Sequence, residues 1–115
     1  MSEYENNVQA HPEKWGLKVV AEIEYSNGCY VFDTRIVWAD ESGKLYTARD
    51  AGCSCPTPFE NFNTMNDIDT FDWQALQSEV DQELMAQSAY ISPLQAREFL
   101  KTVEEAMSTY SKYLS

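Results

Sequence analysis

Two hydrophobic periods follow one another along the chain. Leu17, Val19, Ala21, Ile23 and Tyr25 share one parity, while Lys18, Glu22 and Glu24 take the other. That two-residue period marks a half-buried strand. Asn27-Gly28 comes next, a pair suited to a type I′ turn because both central residues need positive φ. A two-residue turn at that point pairs Tyr25 with Tyr30, Ile23 with Phe32, Val19 with Ile36 and Leu17 with Trp38. Asp40-Glu41-Ser42-Gly43 reads as a second turn with Gly43 in the left-handed position. It sets Trp38 opposite Leu45 and Ile36 opposite Thr47. The expected sheet is a three-stranded antiparallel meander, apolar on one face, with Glu22 facing Asp33 on the mixed face.

Beyond residue 70 the period becomes helical. Trp73, Leu76, Val80 and Leu84 recur at i, i+3, i+7 and i+11, and Asp69 and Asp72 suit the positive N-terminal end of such a helix. Ser92, Pro93 and Gln95 predict a second helix start with a capping box. Ala96, Phe99, Leu100, Val103, Met107, Tyr110 and Leu114 then form one stripe. The short connection Ser88–Ile91 folds the two helices into an antiparallel hairpin over the apolar face of the sheet. The predicted class is α+β with the order β-β-β-α-α. Residues 1–11 read as a flexible polar tail, and Pro12–Gly16 as one helical turn opening a single domain over residues 12–115.

Composition supports a packed core. Of 115 residues, 43% are hydrophobic, including 3 Trp, 7 Tyr and 5 Phe, too many for a disordered acidic chain. No apolar run approaches the ~18 residues of a membrane span, and Met1–Glu5 lacks the basic start of a signal peptide. Charge changes the picture more. The formal net charge is -11, and -8 of it falls within residues 50–96, where no Lys or Arg occurs. Such a chain is not built to hold a phosphate backbone directly, which calls for basic faces. The concentrated acidity reads either as a solubilising surface or as a field that meets a basic partner.

The stretch Gly52-Cys53-Ser54-Cys55-Pro56-Thr57-Pro58-Phe59-Glu60 is the least ordinary. Continuing the third strand in register brings Cys53 and Cys55 to the same end of the sheet as Cys29. Small buried thiols are the first reading; a disulfide and a metal site are the alternatives. His11 is the single histidine and precedes the first strand at the far end of the hairpin, which leaves a cysteine nucleophile without a base. Phe59 and Phe62 read first as plugs anchoring the loop, with a binding knob as the alternative.

Pro12-Glu13-Lys14-Trp15-Gly16-Leu17, Tyr30-Val31-Phe32-Asp33 and above all the Gly52–Glu60 run resemble a family of small uncharacterised proteins encoded by actinobacterial phages. The likeness covers about residues 12–62. It implies a phage source and expression in a bacterial cytosol, and it carries no activity or site residue.

Together these features predict a non-enzymatic protein that binds a host protein and inhibits or redirects it through the acidic segment 50–96. The partner presents a basic surface, such as that of a nucleic-acid-binding enzyme. Asp69, Asp72, Glu79, Glu83, Phe59 and Glu60 are the candidate contact residues. Carboxylates of Asp72, Glu79 and Glu83 along one helix face would imitate a row of phosphates. The alternatives are an assembly or chaperone-like protein, with a homodimer among its forms, and a small zinc-stabilised module using Cys29, Cys53 and Cys55. No cofactor, membrane or direct nucleic-acid contact is expected.

Overall fold

The computed structural model describes residues 7–26, 31–53, 59, 62, 65–86 and 90–114. Strands β1 (Leu17–Glu24), β2 (Val31–Asp40), β3 (Leu45–Cys53) and β4 (Asp69–Thr70) form one antiparallel sheet in that spatial order. Helices α1 (Trp73–Met85) and α2 (Pro93–Leu114) follow. The α+β class is as expected. The sheet has four strands rather than three, because Asp69 and Thr70 pair with Thr47 and Tyr46.

Both helix starts form as their sequences direct. The Asp72 carboxylate accepts from the backbone N–H groups of Gln74 and Ala75 at 3.0 and 3.3 Å. At α2 the capping box is reciprocal: Gln95 N–H donates to the Ser92 hydroxyl oxygen at 3.1 Å, and Ser92 N–H donates to Gln95 Oε1 at 2.8 Å. These bonds satisfy amides that a helix end otherwise leaves open.

The strand register differs from expectation at both turns. Between β2 and β3, Trp38 pairs with Tyr46, not Leu45, and Ile36 with Ala48, not Thr47. The cause is the turn, where Asp40 N–H bonds to the Lys44 carbonyl at 3.0 Å and the loop shrinks to three residues. Gly43 takes φ 90°, the left-handed residue such a loop requires. Asp40 Oδ1 also accepts from the N–H groups of Ser42 and Lys44 at 2.9 and 3.0 Å. A slip of one residue transfers a side chain to the other face, so Leu45 lies with Val37 and Ala39, away from Trp38.

Between β1 and β2 the Asn27-Gly28 turn lies outside the described residues, but the pairing around it is clear. Tyr25 N–H donates to the Asp33 carbonyl at 2.8 Å, and Ile23 faces Arg35 rather than Phe32. The Glu24 carboxylate pins this end of the hairpin by accepting from Asp33 N–H at 2.7 Å, Ser26 N–H at 3.2 Å and the Thr34 hydroxyl. Glu22 faces Ile36 and Asp33 faces Ala51, so the expected Glu22–Asp33 opposition does not occur.

The register also shifts between Val19 and Ala21. This bulge inserts one residue, and the consequence is large. Leu17 packs with Ile36, Trp38 and Ala48 on one face, whereas Ile23 and Tyr25, of the same parity, pack with Val37, Ala39 and Leu45 on the other.

The sheet therefore has two buried faces instead of one. Leu76 and Val80 of α1 and Ala96, Phe99 and Val103 of α2 cover the first. The second holds Val8, Leu17, Ile36, Trp38, Ala48, Phe59 and Ile68, with Trp15, Tyr46 and Phe62 against it. Its cover comes from residues N-terminal to β1 and from the connection between β3 and β4. Asn7 and Val8, assigned above to a flexible tail, are buried, so packing begins well before residue 12. Asn7 Oδ1 accepts from the N–H groups of Gln9 and Ala10 at 2.8 and 3.1 Å and holds this turn against the sheet.

Phe59 is the centre of that second cover. It is fully buried and meets Trp38 edge-on, with ring centroids 6.0 Å apart, and Phe62 at 5.1 Å. Its φ of 65° is unusual for a residue with a Cβ and costs of order 1 kcal/mol or more. Its N–H donates to Asp50 Oδ2 at 2.8 Å, fixing the backbone there. Phe59→Ala is expected to lower unfolding free energy by about 3–5 kcal/mol in urea denaturation. Val8→Ala is expected to cost about 1–3 kcal/mol, whereas a flexible tail would register no change.

Candidate functional site

The carboxylates nominated on α1 meet two arginines on the sheet. Arg35 of β2 and Arg49 of β3 are direct cross-strand partners, an arrangement that is unfavourable unless anions intervene. Glu79 supplies the first. Its carboxylate takes a forked contact from Arg35, with Nε to Oε2 at 2.9 Å and Nη2 to Oε1 completing the pair. Arg49 Nη1 lies 3.3 Å from the same Oε1. Asp33 supplies the second anion, accepting from Arg49 Nε and Nη2 at 2.7 Å each. Glu83, one turn beyond Glu79, accepts from Arg49 Nη2 at 2.8 Å.

Tyr25 closes the group. Its hydroxyl donates to Glu79 Oε2 at 2.7 Å, and the Arg49 guanidinium stacks 4.5 Å above its ring. Burial and this hydrogen bond to an anion push the Tyr25 phenol far above its ordinary value. Hydrogen bonds to Asp33 lead the effects that hold Arg49 charged more firmly than usual. Burial opposes the charge on Glu79, but the hydrogen bonds from Arg35 and Tyr25 and the two guanidinium charges outweigh it. The Glu79 carboxyl is held below the usual carboxylate range. The assembly is a clamp that seats α1 on the sheet, with every polar member engaged inside the protein.

Its members correct the predicted contact set. Glu79 and Glu83 turn toward the arginines, and Asp72 is spent in part on capping α1, so these three do not form a row of outward carboxylates. The solvent face of α1 instead carries Gln74, Gln77, Ser78 and Gln82, with Asp81 as its carboxylate. Phe59 is buried and has no surface to offer, which favours the plug over the binding knob. Asp69 is exposed and lines a cavity of about 190 Å³ with Asp72, Glu79 and Arg35. Glu60, Cys29 and Cys55 lie outside the described residues, as does the side chain of Cys53. Among the described residues no group of three or more His, Cys, Asp or Glu is arranged to hold a metal ion. Nor is any described helix long and apolar enough to cross a membrane.

Sequence reading missed Arg35 and Arg49 as organisers of the acidic helix. The available signal was their position: the last arginine before a cation-free stretch, and a second one in an adjacent strand. A longer groove runs between β1 and α2, bordered by Glu22, Glu41, Glu98 and Glu105, all exposed. Exposed apolar side chains include Val19 in this groove, and Met85, Tyr90 and Leu94 on either side of residues 87–89 between the helices.

Glu79→Gln is expected to lose about 2–4 kcal/mol of stability, since it leaves Arg35 under-compensated in a largely buried site. Glu83→Gln is expected to lose less, because Arg49 retains Asp33. The pH dependence follows from the direction of the Glu79 shift. A carboxyl held below its ordinary 4.5 contributes stability in full above that value and loses it as pH falls through the folded-state pKa. The difference between wild type and Glu79→Gln in thermal denaturation is therefore expected to be largest near neutrality and to shrink below pH 4.5.

Comparison of the chain with known proteins gives a family match alone. No curated protein and no solved structure matches it. One family model, described as a domain of unknown function (DUF7574), matches residues 6–112. That span takes in the turn at Asn7, both cores, the arginine clamp and nearly all of α2, well beyond the region of the sequence resemblance. The chain is accordingly a member of the DUF7574 family.

Proposed function

We propose that this protein is a non-enzymatic interaction protein that binds a partner with a basic surface and inhibits or redirects it. The observation that carries this reading is the disposition of charge. Of the eight cationic side chains, Arg35 and Arg49 are consumed inside the fold by Asp33, Glu79 and Glu83. Exposed Glu22, Glu41, Asp69, Asp81, Glu98, Glu104 and Glu105 make no salt bridge among the described residues. A small body with such an excess attracts basic surfaces and accelerates encounter with them. The resemblance noted above adds a phage source and action in a bacterial cytosol to the proposal, with a nucleic-acid-binding enzyme of the host as the natural class of target. Mimicry of a phosphate row by α1 drops out of it, because Glu79 and Glu83 face inward.

A second reading, as an assembly protein, is favoured by one observation, the exposed Met85, Tyr90 and Leu94. Light scattering separates the two, since assembly through that patch gives a homo-oligomer that Leu94→Ser dissolves. For the leading reading the measurement is binding to a lysine-rich peptide between 50 and 500 mM salt. Affinity is expected to fall by about tenfold or more over that range as exposed charges are screened. An affinity indifferent to salt overturns the proposal.

A further inference from the structure

The spatial order of the sheet leaves β1 at one edge, paired on one side alone among the described residues. Alongside it lie two cavities of about 450 and 340 Å³, both bordered by Val20 and Thr102, so they join into one groove between β1 and α2. Val20, Leu45, Phe99 and Ala106 give the groove an apolar lining. Its acidic rim is formed by Glu22, Glu41, Glu98 and Glu105, with Lys18 as the one cation among the described lining residues. Partial desolvation of the exposed Glu22 side chain against the sheet, reinforced by the charge of Glu24, pushes its carboxyl above the usual range, so a cation placed beside it is favoured.

The backbone adds a direction. Tyr25 N–H points inward to the Asp33 carbonyl, and in an antiparallel ladder alternate residues turn their groups the opposite way. Glu22 and Glu24 therefore present N–H and C=O groups to the open side. The bulge interrupts the edge near Val20, which leaves Ala21–Glu24 as its regular half and protects the rest from indiscriminate pairing.

We propose that this groove receives an extended basic segment of the partner protein, which adds to β1 as a further strand. The inference rests on the reading above and deepens it, moving the contact from residues 50–96 to β1 and α2. An added strand sends alternate side chains to opposite faces. Apolar side chains in one row enter the lining of Val20, Phe99 and Ala106, with Glu98 and Glu105 of α2 adding their field over that row. Lys or Arg in the other row meets Glu22, which shares the opposite face of β1 with its partner Ile36. The groove follows β1 from Lys18 to Glu24, a reach suited to a segment of about seven residues.

The test uses the full chain and two synthetic peptides of equal charge and equal length. One is Lys-Val-Lys-Val-Lys-Val-Lys; the other has proline in place of the central valine, which removes a strand donor and breaks the extended pairing. The alternating peptide is expected to bind at least about tenfold more tightly by fluorescence anisotropy. It is also expected to slow hydrogen exchange at the Glu22 and Glu24 amides. Glu22→Gln and Glu105→Gln are each expected to weaken it about two- to fivefold, with a smaller loss in Asp81→Asn, which lies on the solvent face of α1 and adds only to the general field. Equal binding of the two peptides, or an equal loss in Asp81→Asn, overturns strand addition while leaving the broader reading intact. Failure of both peptides to bind at low salt overturns both. A homodimer whose Glu22 and Glu24 amides are already protected before peptide is added assigns the edge to a second copy and also overturns the proposal.

Discussion

The fold turns on the burial of β2 from both sides. Ile36, Val37, Trp38 and Ala39 are consecutive and all buried, so neither face of the central strand can be left to water. Two covers are required, and the helical pair supplies one. The other comes from the residues before β1 and from the connection between β3 and β4, which is why Val8, Phe59 and Ile68 are drawn onto the sheet. Phe59 accepts a left-handed backbone because the gain from filling the space against Trp38 exceeds the cost of the strain. The bulge in β1 belongs to the same constraint. An edge strand with strict alternation could serve one core, and the extra residue lets Leu17 serve the second while Ile23 and Tyr25 serve the first.

Charge is arranged around this frame. Two arginines facing each other across β2 and β3 are tolerable because α1 lowers Glu79 and Glu83 onto them and Asp33 flanks them. The clamp binds helix to sheet where the apolar core gives way to polar side chains, and it hides part of the acidity of the 50–96 segment. What remains outside is spread over the β1 edge, the turn after β2, β4 with the start of α1, the solvent face of α1 and the exposed side of α2. The exposed carboxylates are therefore spread more widely than the linear distribution of charge indicates, and the groove between β1 and α2 lies beside four of them.

Some parts were legible because they depend on near neighbours. The capping box of Ser92 and Gln95, the Asp72 cap, the stripe of α1, that of α2 as far as Met107 (the side chains of Tyr110 and Leu114 lie outside the described residues) and the plug at Phe59 all follow from residues close in sequence or from plain composition. The register was not legible, since it depends on turn length. Asn27-Gly28 suggested the shortest hairpin, whereas Glu24, bonded across the strands to Asp33 and Thr34, sets a pairing displaced along β2. A three-residue loop after Asp40 then displaced β3 by one. The unbroken run Ile36–Ala39 was the available warning that one apolar face would not suffice.

The sequence by itself determined the three long strands and both helices in their order, the α+β class and the total charge, because periodicity, caps and counts are local or additive properties. Tertiary structure decided which face each strand residue occupies, that the segment before residue 12 belongs to the core, and which carboxylates are neutralised. Those outcomes depend on one-residue differences in register and on arginines that meet glutamates more than thirty positions away. A face reverses with a single-residue slip, and a charge loses its reach when its counterion is folded against it. Neither effect can be read from the order of residues alone.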